Sequence, residues 1–380
     1  MRTVRTSLLA LLASTSLLPG AAFAQTPPKA KASTALETLR TQCLLHAADP
    51  KNPWALAHGM TGLGASFAAA DGRRAADVIV GDFLQRAPAE AQTKGAAPMG
   101  FLRYLQVGTP VEPHANLLTK TLVGAGMKDG QRFKLKDGGE VTLGQLVGSV
   151  QHGFRHVPDV EAYWIEVGWT LDLLAARMTP QKAKFKNGAG EELDLNKIMD
   201  DALFYLEQSQ RDLFAGMDKG LPEVAKNKKG IYAHSCGGLH LVQAVMHWAR
   251  FPEVRKKWGK RLDRQVEVLF YRLGSEQRQY ETVLREHPQY KLQLLVQMVK
   301  FYGHFLETTG RMKRDKVVSF GKAQQQQIRK AEALLDNAVR ELEAVNAYGR
   351  MDELTKTQRQ LQLDLIGDTC HAANGLGMWR

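Results

Sequence analysis

Cysteine is scarce in this chain, with three in 380 residues. So few cannot make a disulfide scaffold, and an odd count leaves at least one thiol free, paired to another chain or bound to metal. There is no Walker A loop, no Gly-x-Gly-x-x-Gly fingerprint and no Cys-x-x-Cys-His haem site, so ATP-dependent and nicotinamide chemistry have no support. The glycine-rich stretch from Gly59 to Gly64 has the wrong spacing for a dinucleotide. Past the first 24 residues, no run reaches the ~18 apolar residues of a membrane span. Strand signals are sparse, and no recognisable nucleic-acid module is present.

The first 24 residues read as a secretory signal. Arg2 and Arg5 supply the charged start, Leu8 to Leu18 the apolar stretch, and Ala22, Phe23 and Ala24 the small-x-small cleavage site. Residues 25–35, with Pro27 and Pro28, then read as a flexible linker, and 36–380 as one helical domain. The expectation is an exported protein, periplasmic or secreted. Without Arg2 and Arg5 the 51 basic residues become 49 against 39 acidic, a net of +10. Outside the cytoplasm such a charge favours anionic envelope polysaccharide, lipid headgroups or extracellular nucleic acid.

Helical periodicity dominates. Apolar residues recur at helical spacing over 36–48, 75–86, 160–176, 198–214, 239–249, 266–273, 290–306 and 323–345, and a final helix is expected over 355–366. The clearest stripe is Ile328, Ala331, Leu334, Leu335, Ala338, Leu342 and Val345. Two small β-hairpins are expected, over 132–143 around Asp137 and Gly138 and over 184–195 around an Asn-Gly turn. Thr142 and Asp194 are the N-caps of the helices that follow.

Three histidines are each followed four and five residues later by Gly-Leu: His58 with Gly62 and Leu63, His234 with Gly238 and Leu239, and His371 with Gly375 and Leu376. At ordinary Gly and Leu usage about 0.1 copies are expected among the histidines. The recurrence points to a repeated unit that places a histidine equivalently. Helical hairpins in an α/α toroid or incomplete ring satisfy this, with the inner helices parallel and their N-termini at one mouth.

Imidazole and thiolate are zinc ligands, and a catalytic zinc needs three protein ligands plus an open position. His58, His234, Cys236, Cys370 and His371 are therefore the candidate metal site, with zinc as the cofactor. At Cys236, Gly237, Gly238, Cys370 and His371 the chain resembles lanthionine-cyclase-like proteins. That resemblance implies an α/α toroid whose zinc is held by one Cys and a later Cys-His pair. Disulfides remain open at this point: Cys236 with Cys370, or Cys43 with Cys370, the latter tying the first helix to the last.

Other patterns compete. Ser235 within Gly230 to Gly238 resembles a hydrolase nucleophile elbow with Asp368 and His371 as partners, though an α/β-hydrolase needs parallel strands that are not visible. His152 and His156 are four apart, but Val157 and Pro158 favour a loop with a polar core histidine. Asp159, Glu161 and Glu166 with Tyr163, Trp164 and Trp169 form an acidic, aromatic helix suited to sugars, or to a solvated edge. Basic clusters at 182–186, 226–229 and 255–264 could follow a polyanion or simply be solvated. The sequence reading is an exported, metal-dependent envelope hydrolase or lyase acting on polysaccharide or peptide. Its rival is a non-catalytic helical scaffold binding an anionic polymer or partner protein through its basic face.

Overall fold

The computed structural model describes residues 34–105, 108–226, 232, 236 and 238–380. Twelve helices, labelled here α1 to α12, build the body: α1 (Ala35–His46), α2 (Pro53–Leu63), α3 (Ala75–Phe83), α4 (Leu117–Gly124), α5 (Leu143–Gly153) and α6 (Gly168–Arg177). They continue with α7 (Leu195–Ser209), α8 (Leu239–Trp248), α9 (Lys260–Glu286), α10 (Lys291–Arg314), α11 (Lys322–Ala344) and α12 (Arg359–Gly377).

Local chemistry starts several of them. Thr34 and Glu37 form a capping box on α1, and Asn52 caps α2 ahead of Pro53 at the first turn. Thr142 makes a capping box with Gln145 on α5, and Asp194 accepts the Asn196 N–H at the start of α7, both at the positions expected from sequence.

The even-numbered helices contact one another in a closed circuit: α2 with α4, α4 with α6, α6 with α8, α8 with α10, α10 with α12, and α12 back to α2. The odd-numbered helices pack behind them. This is an α/α ring of six hairpins. The distribution of apolar residues explains the two layers. Inner helices are buried on nearly every side: in α12, Leu365 to Ala373 is continuously buried. Outer helices are one-sided: α11 buries Ile328, Ala331, Leu335, Ala338, Val339 and Leu342 and exposes the charges between them.

Three two-stranded antiparallel sheets decorate this frame. β3 (Arg132–Lys134) with β4 (Glu140–Thr142), and β5 (Lys184–Lys186) with β6 (Glu192–Asp194), are the two hairpins expected from sequence. The third, β1 (Leu84–Arg86) with β2 (Met99–Phe101), is additional. No described helix is long and apolar enough to cross a membrane.

Cys43 of α1 and Cys370 of α12 form a disulfide across 327 residues. It joins the first helix to the last inner helix, one of the two pairings left open above. Gly62 of α2 packs at this junction: a Cβ there would lie 2.8 Å from the Cys370 carbonyl oxygen and 3.0 Å from Cys43 Sγ.

Candidate metal centre

Two cavities open on the ring axis. One, of about 370 Å³, is walled by Trp54 and His58 of α2, Trp169 of α6, His240 of α8, Lys300 and His304 of α10, and Asp364, Asp368 and His371 of α12. The other, of about 480 Å³, is walled by later residues of the same helices, including Lys120, Asp172, His247, Arg311 and Asn374. The six inner helices therefore run the same way, with their N-terminal halves at the first cavity.

His240, His304 and His371 converge at that N-terminal mouth. One ring nitrogen from each lies within 4.8 Å of the others. The rings of His304 and His371 are 4.2 Å apart between centroids, and His240 is 4.8 Å from His304. Behind them sits Glu307, one turn after His304 on α10. Its Oε2 accepts from His304 Nδ1 at 3.2 Å and from His371 Nδ1 at 3.0 Å. Gln243 Nε2 also donates to Oε2, at 3.2 Å, and Asn374 Nδ2 donates to Oε1 at 2.7 Å. An ionised carboxylate only accepts, so each histidine carries its proton on Nδ1 and presents Nε2 as the lone pair.

Electrostatics agree with this assignment. Burial pushes the His240 imidazole well below its ordinary range, and neighbouring His304 and His371 add to the effect. Burial, with His371 beside it, pushes His304 down to about 4. Both are neutral at neutral pH, as metal ligands must be. Burial raises the Glu307 carboxyl, but the contacts with His371 and His304 outweigh it and hold the group well below the usual carboxylate range.

Close helix packing delivers the cluster. A Cβ on Gly375 would lie 2.5 Å from the Gly303 carbonyl oxygen and 2.7 Å from Glu307 N. A glycine at that position lets α12 approach α10 closely enough for His371 to reach Glu307.

Of the five residues proposed from sequence, His371 joins the cluster. His58 sits beside it, 5.2 Å between ring centroids, with Nδ1 donating to the Trp54 carbonyl oxygen at 2.7 Å; it is not one of the three converging rings. Cys370 is corrected: its sulfur is bonded to Cys43, so it has no thiolate to offer. Cys236 lines the cavity as a free, buried thiol outside the cluster, and burial raises its pKa towards the neutral form. His234 and Ser235 lie outside the described residues. The elbow reading also meets a different partner for His371, which bonds Glu307, and the described residues contain no parallel sheet.

Sequence reasoning missed His240, His304 and Glu307. The available signal was His304 and Glu307 three apart on one helical face. His152 and His156 do not share a helix, because α5 ends at Gly153, and His156 instead bonds Tyr163 and Asp201. Trp169 does reach the cavity, stacked on His114 at 4.0 Å. In the basic stretch 255–264, Arg255 caps backbone carbonyls, Lys257 meets Asp200, Arg261 meets Glu207 and Arg264 meets Asp218, while Lys256 and Lys260 remain exposed.

Comparison with protein-family models, curated proteins and solved structures finds no match. The helical ring and the histidine cluster therefore stand on this chain's own residues.

Proposed function

We propose that this chain is a metal-dependent hydrolase or lyase of the cell envelope, with zinc held by His240, His304 and His371. The observation that carries the reading is one carboxylate, Glu307, fixing two imidazoles through Nδ1 beside a third neutral imidazole. Metal-bound histidines usually have their second nitrogen held in this way. Ligand nitrogens of a tetrahedral zinc lie about 3.4 Å apart, so small ring rotations bring these three to one ion. Three protein ligands next to a cavity leave room for water or substrate. A metal there would supply Lewis acidity and a water with pKa near ~7.

The remaining chemistry belongs to the cavity wall. Lys300 Nζ lies 3.2 Å from Asp364 Oδ2 and 3.4 Å from Asp368 Oδ2. Burial pushes the Asp368 carboxyl up to about 8 despite the pull of Lys300, so it holds a proton it can give to a leaving group at neutral pH. Trp54 and Trp169 offer flat apolar surface to a substrate ring. The secretory-signal reading of the first 24 residues supports export, and a disulfide is at home in an oxidising compartment.

The test is metal content by elemental mass spectrometry, on protein purified without an affinity-metal column. About one zinc per chain, lost in folded His240→Ala and His304→Ala variants, is the expected result. Folded protein that carries no transition metal and cannot be loaded with one ends the proposal.

A further inference from the structure

The opposite mouth of the ring holds the larger cavity, of about 480 Å³. Its charged wall is built around Asp172, which is 5 % exposed. Arg311 grips this carboxylate with two hydrogen bonds, at 2.5 and 3.0 Å, and His247 Nδ1 donates to it at 2.8 Å. Lys120 Nζ is 3.6 Å from Asp172 Oδ2, too far for a hydrogen bond. Among the described residues no other acceptor takes a hydrogen bond from this ammonium, although the Lys120 side chain is only 13 % exposed. The ammonium opens on the cavity, so its three donors can meet an acceptor bound there.

Helix-end carbonyls do not account for these cations. The last carbonyls of α6 and α8 are met by other arginines: Arg250 bonds Ala175 O at 2.7 Å, and Arg255 bonds Ala249 O at 3.0 Å. Arg314, at the rim, pairs with Asp315 at 2.8 Å. Glu307 reaches this wall too, but both its oxygens already accept from His304, His371, Gln243 and Asn374. Lys120, Arg311 and Arg314 thus face Asp172, Asp315 and Glu307, and of the three cations Lys120 alone makes no hydrogen bond to a described carboxylate.

We propose that this C-terminal mouth is a binding site for a small oxyanion of carboxylate or phosphate type, with Lys120 as its principal ligand and Arg311 and Arg314 beside it. The site does not depend on the metal reading. It does touch the same polar axis, because Arg311 Nη1 donates to Gln243 Oε1 at 3.0 Å, and Gln243 in turn donates to Glu307.

The experiment is isothermal titration calorimetry on metal-stripped full-length chain at fixed ionic strength, with inorganic phosphate in one arm and acetate in the other. Saturable binding of at least one anion is expected, and the stronger arm identifies the chemistry. Lys120→Met weakens it by about tenfold or more, as loss of a charged hydrogen-bond donor does. Arg314→Gln, at a half-exposed rim position where folding is not at stake, weakens it by a smaller factor. His240→Ala leaves it unchanged. The proposal is overturned if neither anion binds saturably, if neither Lys120→Met nor Arg314→Gln weakens binding, or if His240→Ala abolishes it.

Discussion

His371 Nδ1 donates to Glu307 Oε2 over 3.0 Å, from a helix that lies 64 residues further along the chain. The same oxygen receives His304 at 3.2 Å. Two inner helices are thereby locked in the register that brings their imidazoles together. Replacing the carboxylate removes that orientation but keeps the ligands. Glu307→Gln is therefore expected to weaken metal binding by about 10–100-fold while leaving some occupancy. Competition with a fluorescent chelator measures this, and an unchanged affinity would sever the link between Glu307 and the ligands.

Glycine at 375 is a second requirement of that register. A methyl there collides with backbone of α10 at two points, the Gly303 carbonyl and the Glu307 nitrogen. Gly375→Ala is expected to cost ~1–3 kcal/mol through overpacking and to lower metal occupancy with it. Gly148→Ala is the control. Position 148 is an exposed site in α5 with no heavy atom within 4 Å of the new methyl. It should gain about 0.5–1 kcal/mol from helix propensity. Thermal melts of the pair decide the matter: equal shifts for both would remove the close-packing argument.

Glu112 gives a pH dependence with a defined sign. Burial pushes its carboxyl up to about 8, against the pull of the Leu118 and Asn116 backbone N–H groups. Its Oε1 accepts the Leu118 N–H at 2.8 Å, which caps α4 from the preceding loop. An unfolded glutamate titrates near ~4.3. Between those values the folded chain keeps a proton that the unfolded chain has released. Stability therefore falls as pH rises through this window, by at most ~1.4 kcal/mol per pH unit, and levels off above pH 8. Glu112→Gln retains the acceptor and removes the titration. Its urea midpoint is expected to fall less steeply between pH 5 and 8 than the wild type's, the remaining fall coming from the similarly raised Asp368; parallel profiles would rule out Glu112 as a source.

The Cys43–Cys370 bridge makes the thiol count specific. Under denaturing, non-reducing conditions one thiol, Cys236, is expected to react, and three after reduction. Closing a loop of this length is worth about 6 kcal/mol in the chain-entropy model. Reduction, or Cys43→Ser, is expected to lower the urea midpoint markedly without changing helical content at low denaturant. Three reactive thiols before reduction would show that the bridge does not form.

Much of the ring was legible because its outer helices are one-sided. The stripe on α11 is visible in the sequence and buried in the fold, apart from Leu334 and Val345 at its margins. The hairpins at 132–142 and 184–194 were marked by turn glycines and caps. The strands at 84–86 and 99–101 were not, because a five-residue helix (Ala89–Thr93) stands where a tight turn would give them away. The inner helix α2 was also missed: buried on nearly all sides, it shows no period to read.

The histidine site was legible only in part. The His-x-x-x-Gly-Leu pattern correctly placed His58 and His371 on inner helices, because those glycines allow close helix approach. It also pointed to His234, which lies outside the described residues; among the described residues of that stretch the histidine at the centre is His240, the second residue of α8. Gly238 there is the left-handed residue that starts the helix rather than a packing glycine within it. The motif recorded how helices touch; His240 and His304 join His371 in the cluster without carrying it.

The bridge between α1 and α12 also has a mechanical consequence. A force applied to Thr34 and Arg380 does not load the hairpins in series, since the covalent link from residue 43 to residue 370 carries the tension past them. Only the short segments outside the loop can lengthen, and the body of the protein behaves as an inextensible hoop. Under reducing conditions the same pull would unspool the hairpins in turn, so the contour length released on stretching reads out the oxidation state of a single sulfur pair.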